Sequence, residues 1–453
     1  MSRSSFSFTL RAIPLVVAMY AGALPVHAQS LVDLYTAARG FDATYQSAKS
    51  QFDANLAKAD QAQALLLPTV GLTASVTQNN QDVQQPSASA KNYSYGSQVV
   101  TLAATQPLYR PANAASYEQG KKQVDLAQAQ LKQAEQDLIV KVSQTYFDVL
   151  ASADNLAFVK SQKTAVSEQL ASAKRNFEVG TSTITDSREA QARYDLVIAQ
   201  ELAADNDLLV KTLALNQLTG LVNAVPTPLN TPVLLNGVEP NSVELWVGNS
   251  EANHPTIHQL IVALDLAKLE TAKAQAGHKP TLDLTASYSN SGSQNNLLAT
   301  TPKVIYGDTM ANVAAIGLSF NLPLFAGFST QNRIKETLAL EDKARTDLEA
   351  TKRTVAQGTR TAFYGVQSGL GQVKALEAAE ASSQSALDAN KLGYQVGVRI
   401  NIDVLNSQSQ LFDTKAKLAK ARYDVLLGGL KLRQAAGTLT ADDLQPVNAQ
   451  LAK

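Results

Sequence analysis

The chain of 453 residues contains no cysteine. That excludes disulfides, thiolate metal sites and a lipid-modified N-terminal cysteine. It suits an oxidising compartment that a chain enters unfolded. No charge sign dominates either, since 39 Lys and Arg stand against 39 Asp and Glu. Residues 1–28 hold Arg3 and Arg11 and no acid, so the remainder carries 37 basic and 39 acidic side chains. A chain so close to neutral presents no nucleic-acid surface. Also missing, beyond residues 1–28, is any apolar run of the roughly 20 residues that a membrane helix needs. A place in a membrane therefore requires a β-barrel. Catalytic constellations are absent too. His254 and His258 are four apart, but Pro255 lies between them and no third ligand is near. Gly369-Leu370-Gly371 lacks the third glycine and the preceding strand of a nucleotide loop. With no nucleophile elbow and no paired carboxylates in a pocket, no catalytic residue, metal or cofactor is expected, and the chain is not read as an enzyme.

A local absence organises everything else. Between Gly120 and Gly180 there is neither glycine nor proline. Apolar residues recur there at Val124, Leu131, Leu138, Val142, Tyr146, Val149, Leu156, Val159, Val166, Leu170 and Phe177, always three, four or seven apart. That is the seam of a coiled coil. A helix over 111–179 spans about 100 Å and is too polar for lipid. It reads as a water-bathed rod with one apolar side.

The rest of the chain is ordered around that rod. Residues 1–28 read as a secretory signal peptide: Arg3 and Arg11, then an apolar stretch, then Val26-His27-Ala28 as the cleavage site. A first unit, 29–220, is expected to hold a helix from 30 to 66, strands at about 69–77 and 98–109, the long helix 111–179 and a helix 186–218. Residues 221–250, with four prolines and the only tryptophan, Trp246, read as an irregular region against the side of the rod. A second unit, 251–437, repeats the order: helix 255–276, strands at about 281–289 and 313–325, long helix 327–394, helix 403–436. Residues 438–453 form a tail. The polar stretches 79–92 and 289–312 read as loops. Gly358, Gly365, Gly369 and Gly371 fall inside the second long helix, so it bends there or packing offsets about 1 kcal/mol apiece. Residues 176–220 align over 393–437 without a gap, identical at 12 of 45 positions. A duplicated helix–strand–strand–helix–helix unit follows.

Each strand alternates cleanly, with Val, Leu, Ile and Phe on one face and Thr, Ser, Gly and Asp on the other. The lengths suit tilted outer-membrane strands, yet the smallest lipid-spanning barrels have about eight strands. Four strands with open edges in lipid would strand backbone groups at several kcal/mol each. Several chains must therefore pool strands, three of them giving twelve. Pro68, Pro107, Pro280 and Pro323 stand at the four helix–strand junctions. A periplasmic coiled-coil adaptor is the other reading of the long hairpins.

The chain resembles the TolC-like outer-membrane efflux proteins. The likeness is carried by Gly277 to Ser287, by Tyr394-Gln395-Val396-Gly397 with Arg399 and Ile402 to Leu405, by Ala421-Arg422-Tyr423, and by Gly437-Thr438-Leu439 with Asp443-Leu444. It implies an α+β membrane protein: a homotrimer whose twelve-stranded β-barrel in outer-membrane lipid continues as a twelve-helix α-barrel across the periplasm. It implies a passive exit duct for efflux or type I secretion, docked on a periplasmic adaptor (membrane fusion) protein and an inner-membrane RND pump or ABC transporter. The same likeness places a gate at the periplasmic turns, Gly180 and Gly397. There Tyr394 would meet Asp186, and Arg399 would bond the backbone near Thr185. Helix capping is an equal reading of the residues, because Asp186 with Glu189 also fits a capping box. Asp403 and Asn406 share a helix face and would form two rings about a three-fold axis. The family's best-known pattern is acidic at both; here only Asp403 is, so weaker cation block is expected.

Overall fold

The computed structural model describes residues 28–85, 88–230, 233, 235, 237–300 and 303–452. Residues 1–27 of the expected signal peptide lie outside that range. The helix expected over 30–66 is two. Helix α1, Leu31–Phe41, starts at a capping box between Ser30 and Asp33. The chain breaks at Asp42, whose carboxylate accepts the Tyr45 N–H at 2.9 Å and caps α2, Ala43–Ala64. Strands β1, Thr69–Gln85, and β2, Ala88–Tyr109, lead into α3, Pro111–Glu178, with proline in its first turn. Helix α4, Ile184–Thr219, ends on left-handed Gly220. Helix α5, Val243–Asn253, and α6, Pro255–Ala276, precede β3, Thr281–Thr300, and β4, Lys303–Asn321. Then come α7, Ser329–Gln395, α8, Asn401–Ala435, a 3-10 turn at Ala441–Leu444 and α9, Gln445–Asn448. No described helix is long and apolar enough to cross a membrane.

The strands form one antiparallel sheet in the order β1-β2-β3-β4. They run 17, 22, 20 and 19 residues, about twice the 9–11 that a bilayer crossing takes. The expected loops at 79–92 and 289–312 are largely strand. Apolar alternation marks only the part of a strand with an apolar surround. Beyond Val76 and Val100 the ladder continues through Asn, Gln and Ser, which bond through their backbone just as well. Val70, Leu72, Val76, Leu102, Ile316, Leu318 and Phe320 share one face and are exposed. The opposite face carries hydroxyls, Thr101 donating to Ser289 Oγ at 3.1 Å. At its helical end Arg110 grips Asp283 with two bonds of 2.7 and 2.6 Å, tying the β2–α3 junction to β3. Pro107 sits within β2 at a break in register rather than at the strand's end, where its missing N–H is tolerated.

Helix α3 is the spine. Its middle buries Leu138, Ile139, Val142, Tyr146, Phe147 and Val149 against Leu31, Leu34 and Ala38 of α1. The expected tail, 438–453, also belongs to this core, through Leu439, Leu444, Val447 and Leu451. Gln136 Nε2, deep in α3, donates to the carbonyls of Gly437 and Leu439 at 3.2 and 3.0 Å. The region 221–250 is less irregular than its prolines imply, because α5 begins within it. Trp246 packs with Phe363, Val366 and Val373 of α7 and Leu418 and Val425 of α8, its indole donating to the Pro240 carbonyl at 2.9 Å. Helix α7 stays continuous through its glycines. A Cβ on Gly369 would lie 2.9 Å from Val425, and one on Gly428 3.2 Å from Val366. A close α7–α8 approach thus offsets the cost at Gly369, whereas a Cβ on Gly358, Gly365 or Gly371 would meet open space.

Half-buried Asp154 accepts the Tyr423 hydroxyl at 2.6 Å, and its partial burial pushes its carboxyl above the usual range. A carboxyl raised in the folded state binds more protons than in the unfolded chain, so its contribution falls as pH rises above about 4.

Gly437 takes φ +71 with backbone atoms of Asn253 and His254 2.5 Å from where a Cβ would stand. Gly437→Ala combines left-handed strain with a backbone clash and should cost roughly 2–4 kcal/mol. Denaturant unfolding checks this, with Gly180→Ala, whose site is open, showing only the smaller strain cost.

Candidate gating site

Two reversals of direction build the site. The α3–α4 turn passes through Gly180 at φ +80 and the α7–α8 turn through Gly397 at φ +76. In each, backbone N–H groups fold onto the last carbonyls of the arriving helix: Thr181 to Asn176 at 2.8 Å, and Val398 to Gly393 at 2.8 Å. These are glycine C-caps, as Val-Gly at 179–180 and at 396–397 predicts. Gly393 adds a packing role, since a Cβ there would meet Arg399 Cγ at 2.6 Å.

The expected gate residues gather here, but with other partners. The Tyr394 hydroxyl accepts from Asn176 Nδ2 at 3.2 Å, not from Asp186. The Asp186 carboxylate accepts the Thr183 N–H at 3.0 Å and hydroxyl at 2.9 Å. That is a capping box with Thr183 as N-cap and Asp186 as its third residue. The box is shifted from the expected Asp186–Glu189 pair because α4 starts at Ile184. Arg399 forms no bond to Thr185 among the described residues and stands 3.7 Å from Asp403, one turn along α8. Asn406 Oδ1 accepts from Arg193 of α4 at 2.8 Å.

A buried tie between the hairpins comes from Asn401, which the sequence alone does not single out. It is fully buried at the start of α8. Gln169 of α3 donates to its Oδ1, and its own Nδ2 donates to the Asp186 carbonyl at 3.2 Å. One turn on, Leu405 is buried among Val166, Leu170 and Ala173 of α3 and Ala190 and Val197 of α4. Asn401, Leu405 and Asn406 thus fasten α8 onto the first hairpin. The available signal lies in the alignment of 176–220 over 393–437, which sets Ile184 against Asn401. A polar cavity of about 330 Å³ lies beside Tyr394, lined by Glu168, Asn176, Lys391 and Gln408. Away from the tip, His254 and His258 turn to main chain. His254 Nδ1 accepts the Thr256 N–H at 3.2 Å, and His258 Nε2 lies 2.9 Å from the Ala252 carbonyl.

Removing Asn401 leaves a buried amide and a carbonyl unpaired, at about 1–3 kcal/mol. Asn401→Ala should therefore speed amide hydrogen exchange at 405–409 by about tenfold or more. Tyr394→Phe, which loses one exposed-edge bond, should leave those amides nearly unchanged. Equal protection in Asn401→Ala and the parent chain would contradict the assignment.

The chain can now be set beside known proteins. A family model described as "Outer membrane efflux protein" matches residues 34–221 and again 246–438. Outer membrane protein TolC of Vibrio cholerae is 32% identical over 441 residues, covering 97% of this chain and 98% of that protein. Alkaline protease secretion protein AprF of Pseudomonas aeruginosa is 28% identical, covering 93% of this chain and 87% of its own length. Among solved structures, the outer membrane protein VceC of Vibrio cholerae superposes with a TM-score of 0.76 at 19% identity, over 90% of this chain and 96% of that one, a likeness of fold.

Proposed function

The chain belongs to the outer membrane efflux protein family, and on that premise we propose how it forms and closes a duct. It is an outer-membrane channel extending into the periplasm, a passive exit for efflux or type I secretion and not an enzyme. Such a duct works with a periplasmic adaptor and an inner-membrane pump. The reading of the chain itself as a periplasmic coiled-coil adaptor has no support beside a relative matched over 98% of its length.

Three copies form the duct. The observation that carries this is the sheet: four strands, apolar on one face and hydroxylated on the other, with the outer edges of β1 and β4 unpaired among the described residues. Three sheets joined edge to edge make twelve strands with the apolar faces to lipid and the hydroxyls to water. Pro68, Pro280 and Pro323 at strand ends, and Pro107 near the end of β2, let the wall continue as helices, twelve around. The excess strand length projects as hairpins beyond the outer leaflet. Residues 29–220 and 251–437 are two copies of one unit, a reading supported by the repeated element order and by the two ranges of the family match. Residues 1–28 are the signal peptide.

The gate is the periplasmic tip. Thr185 and Asp186 on one hairpin and Tyr394 and Arg399 on the other flank the turns at Gly180 and Gly397, and Asp403 and Asn406 line the entrance. The links are few and polar, each worth about 0–1.5 kcal/mol net. A partner protein can break bonds of that size. The docked pump is an RND pump or an ABC transporter.

In mild detergent the processed protein should run unheated at the mass of three chains and after boiling at one, and it should conduct ions in planar bilayers. A water-soluble single chain with no conductance would defeat the proposal.

A further inference from the structure

The polar cavity of about 330 Å³ beside Tyr394 is walled by three helices. Helix α3 supplies Glu168 and Ser172, α7 supplies Lys391 and Tyr394, and α8 supplies Val404 and Gln408. Its charged lining is Glu168 and Lys391, which are opposite in sign and exposed. Neither forms an ion pair or a side-chain hydrogen bond among the described residues. Gln408 is only 3% exposed, and its Oε1 has no hydrogen-bond partner. A buried acceptor left without a donor is costly, so it asks for one. Tyr394 accepts from Asn176 Nδ2 at 3.2 Å, which leaves its own hydroxyl hydrogen to give. Neighbouring Gln169 is already engaged with Asn401 Oδ1. The walls therefore offer two acceptors, the Glu168 carboxylate and Gln408 Oε1, and two donors, the Lys391 ammonium and the Tyr394 hydroxyl.

We propose that this cavity binds a small zwitterion of the amino-acid type. Its ammonium group donates to Glu168 and to Gln408 Oε1, and its carboxylate accepts from Lys391 and Tyr394. A lone anion would face the Glu168 carboxylate, and a lone cation the Lys391 ammonium; a dipolar ion suits both. A divalent metal ion would find one carboxylate and a lysine beside it, a poor oxygen shell. The volume stands at the small end of the roughly 300–1,000 Å³ of ligand sites, which suits a metabolite and not a peptide. Water is the competing occupant of a polar cavity. Helix α3 belongs to the first hairpin, α7 and α8 to the second. A bound solute thus ties the hairpins across the seam that Asn401 clasps. The site itself needs a single chain; its effect on opening rests on the reading of the tip as the gate of a duct.

The test reads binding and opening separately. Amide hydrogen exchange at 405–409 is followed in the full processed protein in mild detergent, against a dose series of L-alanine. Exchange should slow by about tenfold when the solute stands at ten times its Kd. Acetate and ethylammonium, each carrying half of the charge pair, should have no effect. Glycine betaine, which has no N–H to give Gln408, should bind about tenfold more weakly or worse. Glu168→Gln and Lys391→Met, both at exposed side chains, should each raise the Kd for L-alanine by about tenfold or more. Exchange indifferent to L-alanine would mean that water alone fills the cavity, and would overturn the site. So would variants that bind L-alanine as the parent does. In planar bilayers L-alanine should lower the conductance of the parent and leave Lys391→Met unaffected. A conducting parent that binds L-alanine without any change in conductance would overturn the tie across the seam and leave the duct standing. A parent that never conducts would overturn the duct and the gating role, while the exchange result still decides the site.

Discussion

Backbone hydrogen bonding at the two edges of the sheet constrains everything else. In water an unpaired strand edge is only a hazard, whereas in lipid every unpaired N–H or C=O costs several kcal/mol. This chain places exposed Val70, Leu72, Ile316, Leu318 and Phe320 on the sheet face that would meet lipid. Among the described residues the outer edges of β1 and β4 find no partner strand. That face is the ground for proposing that several copies share one closed wall, with the long helices continuing it below the sheet.

Below the sheet, cohesion is graded. At mid-height α3 is clamped by α1 from one end of the described chain and by α9 with the preceding turn from the other. That core holds Tyr146, Phe147 and Tyr423, with Phe147 and Tyr423 stacked 5.7 Å apart. Toward the tip the buried clusters shrink to a few residues around Leu405 and Val404, and amides and charged groups take over the contacts. Apolar burial of the equatorial kind stabilises by roughly 1.5–3 kcal/mol per large side chain, the tip bonds by about 1 kcal/mol each. Local opening follows the weaker end. A gate at the tip and a rigid frame at the equator are the expected outcome of that gradient.

Much of this was legible in the residues because it depends on local rules. A glycine-free and proline-free seam from 121 to 179 forms one helix, Val-Gly at 179–180 and 396–397 stops two helices, and alternation after Pro68 and Pro280 starts two strands. What was hidden depends on partners distant in sequence. The hairpins beyond Val76 lose the apolar signal while keeping their ladder. Asp42 breaks a helix by capping the next one, which looks from sequence like any polar residue in a helix. Leu439, Leu444 and Leu451 read as a tail until α1 and α3 are seen to cover them. Asn401 becomes a clasp only because Gln169 and the Asp186 carbonyl meet it, and Arg193 matters only because it reaches Asn406.

The absence of native cysteine makes the central claim directly accessible. Single cysteines placed along 70–77 of β1 and along 313–320 of β4, combined pairwise in one chain and oxidised in the membrane, report whether these edges meet between copies. Edge-to-edge closure predicts cross-linked bands of two and three chains for pairs in register, ending at three, with none for pairs shifted far along the strands. If every pair fails to link separate chains, or if the ladder climbs past three, the shared twelve-stranded wall is wrong.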